Sequence, residues 1–230
     1  MGRFVQSPGK AGSLRAIQHM VNIETKQLNN AIMKALSVQR INIGRIEWVS
    51  PLDSDGYAEY RDQYFLSQLK LNPPKRELSK FWPKGGPQWD GLATTDQAKY
   101  LLAEAKANIP EILSTPCGAK REESLSLIRE SLKETRNYLA INDTVDWMNN
   151  FYQYTNRLAH LYYLRILNEI DAYLIFIYFY NDSTVNYSPQ SVREWQSALY
   201  VMKAQLGLRK HKLSRYMIDI FVDLNTIAGS

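Results

Sequence analysis

Residues 87–106 read PQWDGLATTDQAKYLLAEAK and have the pattern of a β-hairpin. Two strands are predicted, over 88–93 and 99–107, with a polar turn between them. Asp90 and Glu104 are equidistant from position 97, the middle of that turn. If the strands pair antiparallel around it, the two carboxylates lie directly opposite each other, with Cβ atoms about 5 Å apart.

The second strand brings a lysine onto the same face as Glu104. Side chains alternate faces along a strand, so Glu104 and Lys106 point the same way while Ala105 points to the other side. The residues just before them, Leu101-Leu102-Ala103, are apolar. A buried strand that presents Glu and Lys is costly, and such placements often serve a function. Asp90, Glu104 and Lys106 are therefore predicted to form one cluster.

Two opposed carboxylates repel each other, and something must offset that repulsion. A divalent cation does so, and paired oxygen ligands with room for water suit Mg²⁺ or Mn²⁺. The neighbouring lysine helps to neutralise the pair, and it can polarise an attacking water or stabilise charge on a phosphorus centre. The alternative is a solvent-facing salt bridge between Glu104 and Lys106 on an edge strand. The spacing alone leaves both interpretations open.

The rest of the chain alternates between helix and strand patterns. Further strands are predicted over 45–50, 172–180 and 216–224. Helices are predicted over 14–21, 28–36, 57–69, 121–139 and 191–206, and within 145–170. This order predicts a mixed α/β domain with helices packed on a central sheet.

Length and composition set wider bounds. The 230 residues fit one domain, which we divide into an N-terminal helical extension, 1–50, and an α/β core, 57–224. The single cysteine, Cys117, excludes an internal disulfide and suits a reducing cytoplasm. The longest apolar run, 172–180, is too short to cross a bilayer, so no membrane partner is predicted. The net charge of +5 is compatible with a polyanionic partner such as nucleic acid.

The order of Asp90, a gap, an apolar run and then Glu104-Ala105-Lys106 resembles the signature of the PD-(D/E)XK, or restriction-endonuclease-like, nuclease superfamily. The resemblance covers roughly residues 57–180. It implies a mixed central β-sheet with flanking helices, in which a hairpin presents the signature. One departure is that Gln88-Trp89, rather than proline, precedes Asp90, with Pro87 further back.

The resemblance also implies roles for individual residues. Asp90 and Glu104, with the carbonyl of Ala105, would bind Mg²⁺ or Mn²⁺, and Lys106 would orient or activate the attacking water. Many members add a glutamate from the helix before the hairpin, and Glu59 in the predicted helix 57–69 is the candidate. The alternative for Glu59 is an exposed glutamate on the outside of that helix.

Many members also carry a polar residue on the helix after the motif. Gln153, Asn156, Arg157 and His160 follow helical spacing and form one polar stripe on a helix otherwise rich in Tyr and Leu. We assign Gln153 to catalysis and Asn156, Arg157 and His160 to contacts with nucleic acid. The alternative is a solvated face.

The sequence therefore predicts a metal-dependent nuclease that hydrolyses phosphodiester bonds. One alternative is a catalytically inactive nucleic-acid-binding or interaction module on the same fold, because fold does not fix function. Another is a different metal-dependent enzyme on a similar scaffold. The expected partner is nucleic acid, with DNA favoured over RNA, and the chain could form a homodimer.

Overall fold

The computed structural model describes residues 2–71, 74–142, 145–208 and 210–226. The strands are β1 Arg3–Phe4, β2 Ile46–Ser50, β3 Glu59–Tyr60, β4 Gly91–Thr95, β5 Tyr100–Lys106, β6 Ala172–Tyr180 and β7 Met217–Asp223. The α-helices are α1 Gly12–Asn22, α2 Thr25–Val38, α3 Gln63–Gln68, α4 Glu122–Leu139, α5 Tyr152–Tyr162 and α6 Val192–Gln205. A π-helical segment, Tyr163–Leu167, continues α5.

Five strands form one mixed sheet in the order β2-β4-β5-β6-β7, and β1 pairs with β3 in a separate two-stranded sheet. The β2–β4 and β4–β5 pairs are antiparallel, whereas β5, β6 and β7 run parallel to one another. The strand that carries Glu104 and Lys106 is therefore the central one. The molecule is a mixed α/β fold with a five-stranded sheet and flanking helices, as predicted.

The sheet is covered on both faces, and each face has its own apolar core. Leu102, Leu174 and Phe176 pack with side chains of α3, α4 and α5 on one face. Leu101 and Ile175 pack with α1 and α2 on the other. Burial on both faces explains why β6 reads as a continuous apolar run rather than an alternating one.

Residues 2–50 take part in this architecture; the sequence predicted a helical extension, 1–50, beside a core, 57–224. Ile17, Leu28 and Ile32 are fully buried in the cluster that covers one face of the sheet. In addition, β2 pairs with β4 as an edge strand of the sheet. The apolar stripes of α1 and α2 find their partners on the sheet, so the two helices form one of its two helical layers.

Residues 57–69 do not form the single helix that was predicted. Glu59 and Tyr60 pair with β1 in extended conformation, and the short helix α3 begins only at Gln63. Asp62 separates the two elements with φ +53°, a value incompatible with a continuous right-handed helix. The pairing partner lies more than 50 residues away in sequence, so local periodicity could not indicate it.

The other predicted elements form close to their expected bounds. Strand β6 has the predicted bounds, and α4, α6 and β7 begin and end within one residue of theirs. The predicted hairpin is formed by β4 and β5. In the ranges that the structure describes, no helix is long and apolar enough to span a membrane.

Candidate active site

The hairpin has the register that the sequence predicted. Gly91 pairs with Ala103, and continuing the antiparallel ladder by one residue sets Asp90 opposite Glu104. Asp90 lies just before β4, and its Oδ2 accepts a hydrogen bond of 2.7 Å from the backbone N–H of Ala105. The two carboxylates therefore lie near each other at the end of the hairpin, close enough for the charge of Glu104 to act on Asp90.

Glu104 is buried, with only 1% of its surface exposed, and it holds two cations. The Lys106 Nζ donates to Oε1 at 2.5 Å, and the Arg157 Nε donates to Oε2 at 2.7 Å. Burial acts to raise the pKa of Glu104, but the charges of Arg157 and Lys106 outweigh it and lower that pKa overall. The predicted Glu104–Lys106 salt bridge exists, but it lies buried on the central strand rather than in solvent on an edge strand.

Asp90 is in the opposite electrostatic situation. Burial, together with the negative charges of Glu104 and Glu59, raises the pKa of Asp90 to about 8, despite the partly compensating charge of Lys106. A raised carboxyl pKa signals an excess of negative potential at the site. Asp90 therefore binds a proton readily, and the same potential favours a cation.

Glu59 is the third carboxylate of this group. It lies on strand β3 rather than on a helix, and at 5% exposure it is not the exposed glutamate of the alternative interpretation. Its Oε2 accepts a hydrogen bond of 2.5 Å from the side-chain amide of Gln88. Burial raises the pKa of Glu59, and the charge of Glu104 adds to that effect. Glu59 thus adds to the negative potential around Asp90.

The predicted polar stripe on α5 faces inward, so it is not a solvated face. Arg157 is 3% exposed, and its Nη2 donates to the Gln88 carbonyl at 2.7 Å while its Nη1 donates to Asn156 Oδ1 at 2.8 Å. With its third nitrogen on Glu104, the guanidinium of Arg157 ties α5 to the hairpin. The predicted contacts of Arg157 and Asn156 with nucleic acid remain predictions.

His160 lies deeper in the core than the other stripe residues. Its ring is surrounded by four aromatic side chains, namely Phe65, Phe81, Trp82 and Trp89. Burial lowers its pKa to about 3, so the ring is neutral at physiological pH. Because its exposed fraction is only 1%, the structure places it in aromatic packing rather than on a surface that could contact nucleic acid.

A cleft of about 520 Å³ opens beside Asp90, and we name it the carboxylate cleft. Five of the predicted site residues line it, namely Glu59, Asp90, Gln153, Asn156 and Arg157. Glu104 and Lys106 do not line the cleft. Glu104 binds Arg157, which does line it, and the charges of Glu104 and Lys106 act on Asp90. Four widely separated parts of the sequence thus meet at one cleft.

Two residues of the cleft escaped the sequence analysis. Gln88 contacts both Glu59 and Arg157, and its place two residues before Asp90 was noted only as a departure from the expected proline. Ser114 accepts a hydrogen bond of 2.8 Å at its Oγ from the backbone N–H of Gln153. Nothing in the local sequence singles out Ser114, because its loop has no regular pattern.

The donor set fits a divalent cation in chemistry but is not arranged as a finished metal site. Within the described ranges, no group of three or more His, Cys, Asp or Glu side chains is positioned to hold a metal. Both Glu104 oxygens already accept hydrogen bonds, although each carboxylate oxygen keeps a second lone pair. Ala105 directs its N–H towards Asp90, and in an extended strand the carbonyl of the same residue points to that side too.

Comparison of the chain with protein-family models, with curated proteins and with solved structures found no significant match. The function must therefore be inferred from the chemistry of the cleft itself.

Proposed function

We propose that this protein is a divalent-metal-dependent nuclease with a restriction-endonuclease-like core. One observation carries the proposal: the carboxylates of Asp90, Glu104 and Glu59 cluster at one end of the hairpin beside Lys106. Burial first, and then the negative charges of Glu104 and Glu59, raise the pKa of Asp90 to about 8. Structural ion pairs usually lower carboxyl pKa values, so an acid with a raised pKa in a cleft favours a functional interpretation.

The architecture supports this proposal. The signature residues come from a β-hairpin at the centre of a mixed sheet, and a helix and a parallel strand follow it in the chain. That is the arrangement implied by the resemblance of Asp90 and Glu104-Ala105-Lys106 to the PD-(D/E)XK signature. The first helices complete the other layer of the same sheet.

The proposed cation site comprises Asp90, Glu104 and the carbonyl of Ala105, with Glu59 as an additional carboxylate. A bound Mg²⁺ or Mn²⁺ would supply a positive charge that stabilises the phosphate oxygens as they gain negative charge. The chain's part is to hold the oxygen ligands in place. The Ala105 N–H fixes Asp90, and the Gln88 amide fixes Glu59.

Lys106 acts as an ammonium group in this proposal. Burial lowers its pKa, but the negative charges of Glu104 and Asp90 raise it by more, so the net shift is upward. A protonated lysine cannot accept the proton of the attacking water. It can donate a hydrogen bond that orients the water or stabilises charge on the phosphate.

In the proposed reaction, a water oxygen bonds to phosphorus and the bond from phosphorus to one sugar oxygen breaks. One proton of the water ends on the departing sugar oxygen, and the other is released to solvent from the new phosphate monoester. The products are a phosphate monoester and a free hydroxyl. Gln153, in the first turn of α5, lines the cleft and is placed to contact the substrate or water.

The test combines metal binding with cleavage. Mn²⁺ is titrated calorimetrically into wild type and Asp90→Asn, and labelled DNA and RNA oligonucleotides, single- and double-stranded, are incubated with millimolar Mn²⁺ or Mg²⁺. We expect Asp90→Asn to lose Mn²⁺ binding, and Lys106→Met to lower the cleavage rate by about 100-fold or more. Glu47→Gln removes an exposed carboxylate from the same sheet and serves as the control, with wild-type binding and cleavage expected.

A catalytically inactive binding module is the second candidate, and one observation favours it. Glu104 is already neutralised by Lys106 and Arg157, so this acid is stabilised without a metal ion. On this alternative, wild-type protein binds oligonucleotides in EDTA but takes up no Mn²⁺, with or without nucleic acid. That pair of results would overturn the nuclease proposal.

A further inference from the structure

A second depression, of about 690 Å³, adjoins the carboxylate cleft, and we name it the basic groove. The two share four lining residues, namely Trp82, Gly85, Gly118 and Tyr152. The two depressions are therefore direct neighbours on the surface, within reach of one extended ligand. The basic groove therefore extends the candidate active site along the surface.

The basic groove is positively charged. Lys84, Lys120 and Arg121 line it with exposed side chains, and no Asp or Glu is part of its wall. Among the residues that the structure describes, none forms an ion pair with these three cations. The acids Asp62 and Glu123 line the next depression along the surface instead. Three cations without acidic partners attract an anionic ligand.

Two loop segments and two helices line the basic groove. The loop segments are 82–85 and 117–121. Ser124 and Ile128 of α4, with Tyr152 of α5, complete the lining. Tyr152 is partly buried at the junction with the carboxylate cleft, where the face of an aromatic ring can pack against a base.

We infer that the substrate is single-stranded nucleic acid, whose backbone lies in the basic groove and leads into the carboxylate cleft. This inference rests on the proposed nuclease function. Lys84, Lys120 and Arg121 contact phosphates of this strand, and Tyr152 packs against a base beside the scissile bond. A cationic groove combined with an aromatic side chain is the usual construction of a site that binds single strands.

The size of the groove favours a single strand over a duplex. Sites for drug-sized ligands span roughly 300–1,000 Å³, so each depression takes about one or two nucleotides. A depression of this volume can take part of one strand but is too small for a duplex to enter.

The test measures binding without catalysis. Fluorescence anisotropy of a labelled single-stranded oligonucleotide is followed in EDTA at several salt concentrations. The groove variant Lys84→Ser/Lys120→Ser/Arg121→Ser removes two lysines and one arginine. The control variant Lys26→Ser/Lys34→Ser/Arg45→Ser removes the same charge from exposed positions on or next to the helical layer that covers the opposite face of the sheet. All six side chains are exposed, and circular dichroism verifies folding.

We expect the groove variant to bind the single strand at least about tenfold more weakly than wild type, while the control variant stays within about twofold. Loss of three phosphate contacts should also reduce the slope of log K against log salt by about 2. A duplex of the same length should bind wild type more weakly than the single strand does. Equal binding by the two variants would overturn the groove assignment, and preferred duplex binding would overturn the single-strand assignment.

The outcome also separates this inference from the nuclease proposal. An oligonucleotide that binds through the groove but is never cleaved with Mn²⁺ or Mg²⁺ would overturn the nuclease proposal and leave the groove as a binding site. Cleavage of single strands by wild type and groove variant at equal rates under subsaturating substrate would overturn the groove assignment and leave the nuclease proposal standing.

Discussion

Asp90 and Glu104 have opposite electrostatic environments although they lie near each other at the end of the hairpin. Arg157 and Lys106 hold the pKa of Glu104 below its ordinary value, while burial and like charges raise that of Asp90 to about 8. Near neutral pH, Glu104 is therefore ionised and Asp90 is largely protonated unless a cation binds. Separated pKa values in one pair of acids are typical of sites in which the two perform different tasks.

The raised pKa of Asp90 predicts a pH-dependent effect on stability. The folded-state pKa of about 8 lies above the unfolded value, so the folded protein holds the Asp90 proton more tightly than the unfolded chain does. Asp90 therefore contributes fully to the free energy of unfolding below about pH 4, and this contribution is lost as pH rises through 8. Asp90→Asn has no charge to bury, so its stability relative to wild type should rise with pH. Between pH 5 and pH 9 the gain should be about 4 kcal/mol, because each of the three pH units up to the folded-state pKa contributes about 1.4 kcal/mol. The Tm difference should grow by about 8–16 °C over the same range.

The measurement is thermal unfolding of wild type, Asp90→Asn and the exposed control Glu47→Gln at pH 5, 7 and 9, all without divalent metal. The Tm difference between Asp90→Asn and wild type should grow with pH, whereas the difference for Glu47→Gln should not. A difference that shrinks as pH rises would contradict the raised pKa.

At the residue scale, the sequence predicted the contact that follows from the number of residues between each side chain and the turn of the hairpin. The Asp90–Glu104 pairing follows from their equal distance to the turn. The Glu104–Arg157 ion pair joins residues 53 positions apart. The periodicity of apolar residues within one segment cannot show that α5 packs against the hairpin, so this ion pair could not be predicted. His160 shared the spacing of the stripe, but its aromatic neighbours come from three other segments of the chain.

At the scale of elements, the β4–β5 hairpin depends on close approach at Gly91. A Cβ at Gly91 would lie 2.8 Å from Cζ3 of Trp48 and 3.3 Å from Cβ of Ala103. The Trp48 indole cannot easily give way, because its Nε1 donates to Asn29 at 2.8 Å. Gly91 thus lets β2, β4 and β5 pack closely next to Asp90.

We therefore expect Gly91→Ala to destabilise the protein by about 1–3 kcal/mol, a typical cost of overpacking. The matched control is Gly118→Ala, since a Cβ there meets nothing within 4 Å. This change should stay within about 0.5 kcal/mol of wild type. Urea unfolding gives both values, and equal stability of the two variants would show that the sheet tolerates the methyl group.

Elements with strong local patterns were predictable, whereas those defined by a distant partner were not. β6 is buried on both faces, so its long apolar run indicates the strand directly. The segment 57–69 contains aromatic residues at helical spacing, yet pairing with β1 and the positive φ of Asp62 divide it into a strand and a helix.

At the scale of the whole molecule, two helical layers enclose one sheet, and the carboxylate cleft lies on the α5 side. Side chains of β5 alternate between the layers: Glu104 and Leu102 point towards α5, and Ala103 and Ala105 towards α1 and α2. The small alanines let α1 approach the central strand. The layer formed by α1 and α2 therefore supports the strand that carries the site, although it contributes no residue to the cleft.

If this layer is integral to the core, a cavity within it should destabilise the entire molecule. Ile32 of α2 is fully buried, so Ile32→Ala should cost about 2–5 kcal/mol. Val38, at the end of the same helix, is 82% exposed, and Val38→Ala should change stability by less than about 0.5 kcal/mol.

Unfolding is followed by far-UV circular dichroism and by tryptophan fluorescence, which reports largely on the layer around Trp82, Trp89, Trp147 and Trp195. For Ile32→Ala, both signals should shift together to lower denaturant. A fluorescence transition that stays at the wild-type midpoint while part of the helical signal is lost earlier would mean that α1 and α2 unfold independently, as an extension outside the α/β core would.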